Sequence, residues 1–222
     1  QAYDDNIGDY TPDGYPGAGI DRVIDGDPSG DELEDMMYQR MTDYVPIAGV
    51  TTTATYDANY INVNVSAEFV ASVSGDHRLA VVLLSDSVLG LGQANYYAPG
   101  QIGNSTPMAM PNYGSMPNFN FNEGASTVSP FYHDHVAVAL GDDEINGTIG
   151  SVPNTVSDGD NITYSYTFPR NSSWNLNKMH AVGMLVNGST GEILNAGKSA
   201  VTGSVGIKNP TGTDTMVADW IK

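Results

Sequence analysis

The spacing of apolar residues changes period once along the chain. Up to Tyr44 the one clear signal is helical. In "SGDELEDMMYQRMTDY" (29–44), Leu33, Met36, Met37, Met41 and Tyr44 recur at helical spacing and predict one buried stripe. Ser29 stands three residues before Glu32 as a capping box, and acidic residues crowd the first turn, where the helix dipole favours them. Pro46 bars continuation. From Ile47 the period becomes two. "VTTTATY" and "YINVNVSAEFV" read as a hairpin across Asp57, Ala58 and Asn59. Ile61, Val63, Val65, Ala67 and Phe69 share one face of its second strand, and Asn62, Asn64, Ser66 and Glu68 the other. "HRLAVVLLSD" is continuously apolar, as a more central strand is. "NITYSYTF" alternates, with Ile162, Tyr164, Tyr166 and Phe168 inward, and "KMHAVGMLVN" with "GSTGEILNAGKSAV" reads as strand, turn, strand.

Seven or eight strands separated by turn signals, with no internal repeat, predict a mainly β protein. The expected fold is an antiparallel β-sandwich, immunoglobulin-like or jelly-roll-like, preceded by a short irregular segment and one helix. Residues 1–45 form that leading segment, 46–208 the sandwich and 209–222 a C-terminal tail or linker. A long insertion, 85–130, interrupts the strand rhythm. It carries Tyr96, Tyr97, Met108, Met110, Tyr113, Met116, Phe119 and Phe121 among Pro, Asn and Gly. Loops longer than about 12–15 residues are usually functional or disordered, and so many aromatic residues argue against a plain linker. Within it, the aromatic and Met-bearing loop 95–122 is the expected contact surface.

Composition narrows the function classes. With 40% hydrophobic residues the 222-residue chain can build a real core. Eight Lys and Arg stand against 26 Asp and Glu, for a formal charge of −18. Such a surface repels phosphate backbones and anionic lipid headgroups, which argues against nucleic-acid binding. The absence of cysteine excludes disulfides, thiolate metal sites and thiol catalysis. No apolar run approaches the ~20 residues a membrane-spanning helix needs. The opening "QAYDDNIGDYTPDGYPG" lacks the basic and apolar regions of a signal peptide, and the expected reading is a piece processed or trimmed from something longer.

Candidate chemistry centres on "PFYHDHVAVAL" (130–140). On a single strand His133 and His135 would share a face, about 6.5–7 Å apart along the chain, with Asp134 opposite. That pair could chelate a metal with a third ligand from elsewhere, such as His77 or His180. The alternative is a solvent-leaning strand face, with Val136, Val138 and Leu140 entering the core. Met108, Met110 and Met116 could serve copper as soft ligands or fill irregular gaps. The acidic turns Asp25–Glu32, Gly141–Gly147 and Ser157–Asn161 offer oxygen ligands for a structural calcium, without EF-hand spacing, though turn-forming Asp and Gly also account for them. No nucleophile elbow is present. A glycosidase carboxylate pair is neither indicated nor excluded among 26 acidic residues.

From Leu79 to Val201 the order of segments resembles the Omp-twenty-eight-related outer membrane proteins of Bacteroidetes. "LAVVLLSDSVLGLGQ" is followed by "FYHDHVAVAL", then "NGTIGS", then "ITYSYTFPRNSSWNLNKMHAVGMLVNGSTGEILNA". Gln93, Tyr132, His133, His135, Val136, Trp174, Asn175, Asn177 and the run Glu192, Ile193, Leu194, Asn195, Ala196 fit the family's slots. "GYPGAGIDRV" (14–23) is similar to the end of a thioredoxin-like region that precedes the sandwich in many members, which would make residues 1–45 its tail. Val138 stands where relatives often carry a basic residue, and the Met/Pro/Asn insertion is longer than the family pattern. The family strand pattern already accounts for the H-D-H triplet, which weakens the metal reading. The resemblance implies an exported cell-envelope or surface protein, sent onward by the type IX route, without enzymatic activity or cofactor. It also makes Asp86-Ser87-Val88 and Asp214-Thr215-Met216 candidate O-glycosylation signals, at Ser87 and Thr215. The N-x-S/T sequons, as at Asn104, Asn161 and Asn187, mean little in a bacterium. The expected function is adhesion or assembly through a protein partner or self-association. The alternative is a carbohydrate-binding accessory module in which Tyr96, Tyr97 and Tyr113 stack on sugars.

Overall fold

The computed structural model describes residues 17–26, 32–90, 92–94 and 126–203. Two short strands, β1 (Ala18–Ile20) and β2 (Ile24–Gly26), precede the helix α1 (Glu32–Asp43). Then come β3 (Ala48–Tyr56), β4 (Tyr60–Phe69), β5 (Val73–Ser74), β6 (His77–Ser85), β7 (Val88–Gly90) and β8 (Gln93–Ala94). After the insertion follow β9 (Thr127–Val128), β10 (Phe131–His133), β11 (Val136–Leu140), β12 (Thr155–Val156), β13 (Asn161–Pro169), β14 (Met179–Asn187) and β15 (Ile193–Gly203).

Seven strands form one continuous ladder in the order β11-β6-β14-β15-β3-β4-β13. It curls into two facing halves because β15 serves both. Residues from Ile193 to Ala200 pair with β14, and Val201–Gly203 run parallel to Ala54–Tyr56 of β3. That parallel contact is the one departure from an otherwise antiparallel ladder. The halves β3-β4-β13 and β15-β14-β6-β11 correspond to the A-B-E and G-F-C-C′ sheets of an immunoglobulin-type sandwich. Of the two sandwich types expected from sequence, this strand order is the immunoglobulin-like one.

The predicted inward faces fill the space between the halves. Ile61, Val63, Val65, Ala67 and Phe69 are at most 1% exposed, and they meet Leu79, Val81 and Leu83 of β6 and Met179, Ala181 and Leu185 of β14. Each large side chain buried this way contributes roughly 1.5–3 kcal/mol. The halves pack tightly at Gly183, where a Cβ would meet the Thr52 hydroxyl and sit 2.7 Å from the Val65 methyls. Buried Thr52 joins the halves there: its hydroxyl accepts from the Gly183 N–H at 3.1 Å and donates to the Gly197 carbonyl at 2.8 Å. The continuous apolar run of β6 is also explained. Its second face places Ala80 in a smaller cluster with Met184 and Val186, so both faces of the strand are buried.

The outer face of β3-β4-β13 is polar and free of charge over three rungs. In register these are Thr55–Asn62–Thr167, Thr53–Asn64–Ser165 and Thr51–Ser66–Thr163. Side chains bond along the rungs, Ser165 to Asn64 at 2.7 Å, Ser66 with Thr163 at 2.7 Å and Thr167 to Asn62 at 3.2 Å.

The helix forms where predicted but presents a different stripe. Met36 and Arg40 are its buried residues, with Leu33 and Tyr44 half-buried, whereas Met37 is 49% and Met41 77% exposed. The reason is the guanidinium of Arg40. It donates to Asp21 Oδ2 at 2.9 Å, Glu192 Oε1 at 2.7 Å and the Ile193 carbonyl at 3.2 Å, and lies 4.0 Å over the Tyr44 ring. Burial opposes its charge, but the hydrogen bonds to Asp21 and Glu192 outweigh this and raise its pKa above the ordinary value. Ile193 N–H to the Asp21 carbonyl, and Arg22 to the Gly191 and Ile145 carbonyls, tie the leading segment to the same end of the sandwich. The Ser29 cap lies outside the described residues.

Candidate functional site: the stem of the insertion

At the end of β6, Asp86 and Ser87 turn the chain into β7. At the end of β10, Asp134 and His135 turn it into β11. The two turns exchange hydrogen bonds. The Ser87 N–H donates to Asp134 Oδ1 at 2.8 Å, and the His135 N–H donates to Asp86 Oδ1 at 2.8 Å. Ser87 and His135 both take the left-handed conformation, with φ of 56° and 57°. Such residues are uncommon and need outside support, which here comes from a carboxylate on the opposite turn.

Asp86 is the hub. Its own N–H donates to the Lys178 carbonyl at 2.9 Å, and its Oδ2 accepts from His180 Nε2 of β14 at 3.0 Å. The His135 N–H first, and the His180 contact next, hold the Asp86 carboxyl below the usual carboxylate range. Lys198 of β15 approaches His135 Nε2 at 2.9 Å. On the other side of the ring, His135 Nδ1 lies 3.8 Å from Asp86 Oδ1. The His135 and His180 rings stack with centroids 6.3 Å apart. Asp86, His135, His180 and Lys198 thus satisfy one another across β6, β11, β14 and β15, and together they hold two turns closed.

Above the clamp the insertion leaves and returns through two short ladders. Val88–Gly90 pairs with Phe131–His133, and Gln93–Ala94 pairs with Thr127–Val128. The His133 ring packs edge-on against Phe131 at 4.7 Å, and a Cβ at Gly90 would collide with that ring.

This geometry corrects the single-strand reading of the H-D-H triplet. His133 ends β10 and His135 lies in the turn before β11, so the two do not share a strand face. Asp134 and His135 are the turn itself, because the left-handed backbone at His135 breaks the ladder. β11 also shifts register between Ala137 and Ala139, so Val136, Val138 and Leu140 are only half-buried. Among the described residues no group of three or more His, Asp or Glu side chains is arranged to hold a metal ion. In the acidic turns, Asp142 Oδ2 accepts from the Thr148 and Tyr164 hydroxyls at 2.7 and 3.4 Å, and Asp160 Oδ2 accepts from the Ser157 N–H at 2.7 Å. Those carboxylates shape turns; part of the Asp25–Glu32 run lies outside the described residues.

Ser87 is exposed and spends its N–H, not its hydroxyl, on the clamp. Tyr96, Tyr97, Met108, Met110, Tyr113, Met116, Phe119, Phe121 and Thr215 lie outside the described residues, as does the side chain of Gln93. Sequence reasoning missed Asp86 and Lys198 as partners of the triplet, and weighed His180 only as a metal ligand. The available signal was the pair of turn dipeptides, Asp86-Ser87 closing one apolar run and Asp134-His135 opening another.

The segments that resemble a known family have structural roles here. Trp174 packs half-buried against the core, and the Asn175 side chain accepts from the Asn177 N–H at 3.3 Å. Glu192 holds Arg40, Leu194 is buried, and the Asn195 amide donates to the Ala48 carbonyl at 2.8 Å. The family described as "Outer membrane protein Omp28" matches residues 1–205. The chain belongs to the Omp28 family. A solved domain of the outer membrane lipoprotein Omp28 from Porphyromonas gingivalis aligns at 13% identity, covering 72% of this chain and 91% of that one, with a TM-score of 0.38. No curated protein matches the chain. Omp28 membership makes this an exported protein of the outer membrane or cell surface. No helix among the described residues is long and apolar enough to cross a membrane.

Proposed function

We propose that this Omp28 protein is a non-catalytic surface module that works by adhesion or assembly, with the insertion as its contact element. The observation that carries this reading is the clamped stem. Reciprocal aspartate bonds and two short ladders tie together the described chain on either side of residues 95–125. The sequence of that segment, with Tyr96, Tyr97, Tyr113, Phe119, Phe121, Met108 and Met110, has the aromatic and methionine enrichment of protein contact surfaces. The partner is a protein, either another envelope component or a second copy of the chain. O-glycosylation of exposed Ser87, at the foot of the stem, belongs to the same proposal, and an intact-mass measurement of the native protein reads it directly.

The test is a loop exchange in the full chain. Ala94 and Thr127 are cross-strand partners, so replacing residues 95–126 by Asn-Gly closes the ladder with a favoured two-residue turn. The expected result is a folded protein that has lost self-association in sedimentation and partner recovery after crosslinking on cells. Undiminished association by the exchanged protein would contradict the reading.

A further inference from the structure

At the open side of the sandwich, between β11 and β13, lies a cleft of about 310 Å³. Its walls include Leu140, Tyr166, Phe168 and the half-buried indole of Trp174, with Asp142 and Thr167 as polar members. The two strands are the last in their halves of the ladder, so the cleft sits where the described sandwich has no further strand. Its volume is at the lower end of the ~300–1,000 Å³ typical of small-ligand sites. The Asp142 carboxylate is oriented, since the Thr148 and Tyr164 hydroxyls both bind its Oδ2. Thr167 belongs both to the cleft and to the outermost rung of the uncharged face of β3-β4-β13.

We propose that this cleft, with the uncharged face running from it, binds a pyranose unit and the following units of a neutral glycan. A pyranose presents an apolar ring face to an aromatic wall and hydroxyl donors at its rim. The indole of Trp174 supplies the wall, and Asp142 and Thr167 supply acceptors. An anionic ligand meets Asp142 within a chain of formal charge −18. The adjoining rungs carry only hydroxyl and amide groups, in a chain of which 15% is charged. That absence of charge fits a ligand that is itself neutral and rich in hydroxyls. The fixed side-chain bonds along the rungs mean that little ordering remains to be done on contact. The site lies outside the insertion and goes beyond the contact reading above, so either can fail without the other.

The experiment is a titration of the ¹⁵N-labelled full chain with neutral tetrasaccharides of glucose, mannose and N-acetylglucosamine, followed by NMR and calorimetry. The expected result is saturable binding of at least one of them, with shifts at the Trp174 indole N–H and the amides of Leu140 and Thr167. Asp142→Asn, which keeps the shape of the turn, and Trp174→Ala should each weaken that binding at least tenfold. Thr53→Lys should weaken the tetrasaccharide more than the monosaccharide. The loop-exchanged protein should bind as the wild type does. The proposal is overturned if no neutral saccharide shifts these signals, if Asp142→Asn leaves affinity unchanged, or if the cleft instead takes a lysine-rich peptide. Should Trp174→Ala fail to fold, the shift map and Asp142→Asn still decide.

Discussion

The sandwich and the stem are both built from paired strands, but they are held by different means. In β4, β6 and β14 the order comes from apolar side chains at or near zero exposure, each secured by many neighbours. In the stem, β7 to β10 are two or three residues long, and order comes from a few named bonds: Asp86 to His135, Asp134 to Ser87, His180 to Asp86. Packed surface is redundant, whereas a clamp of single bonds is not. The core should therefore fail globally and the stem locally.

The largest effect should come from the core. Leu83, fully buried in β6, becomes a cavity between the sheets in Leu83→Ala, at a cost of about 2–5 kcal/mol. Thermal unfolding should shift down by roughly 2–4 °C for each kcal/mol in a domain of this size, and core and stem probes should report the same midpoint.

An intermediate effect should come from the leading segment, which resembles the stem in depending on few bonds. Arg40→Met removes the guanidinium shared by Asp21 and Glu192. Both carboxylates keep some solvent contact, so the cost should fall below the 3–5 kcal/mol of a fully buried pair, at about 1–3 kcal/mol. Proteolysis should then cut between α1 and β3 while the sandwich stays resistant; equal resistance before and after the change would remove the segment's dependence on Arg40.

The smallest global effect should come from Asp86→Asn, about 1 kcal/mol, because it weakens single hydrogen bonds at a partly exposed turn and opens no cavity in the core. Its pH dependence has a definite sign. The folded-state pKa of Asp86 lies below the unfolded value, so its contribution is present above about pH 4 and fades as pH falls through the folded pKa. The variant should lack that acid-induced loosening of the stem, seen as a flat pH response of the His135 amide.

How much could be read from sequence follows the same division. The β3–β4 hairpin, β6, β13 and the β14–β15 pair announce themselves by period, because a sheet with one buried face forces alternation and a sheet buried on both faces forces a continuous run. The helix stripe was misread at Met37 and Met41, since an apolar scan gives no place to a buried Arg40. The stem was unreadable as a strand pattern: its partners, Asp86, Asp134, His180 and Lys198, are brought together by tertiary register and carry no periodicity. Asp134 and His135 of the H-D-H triplet take part through turn chemistry, which a scan for ligand spacing does not read.

Native-state amide hydrogen exchange on Asp86→Asn tests the division most directly. If the stem is an independently opening unit, the Ser87 and His135 amides should exchange through an opening of lower free energy than Val81, Leu83 and Leu185, and the loss of about 1 kcal/mol should speed their exchange about fivefold. Exchange of stem and core amides through one opening of the same free energy would contradict the account and make the clamp part of the sandwich itself.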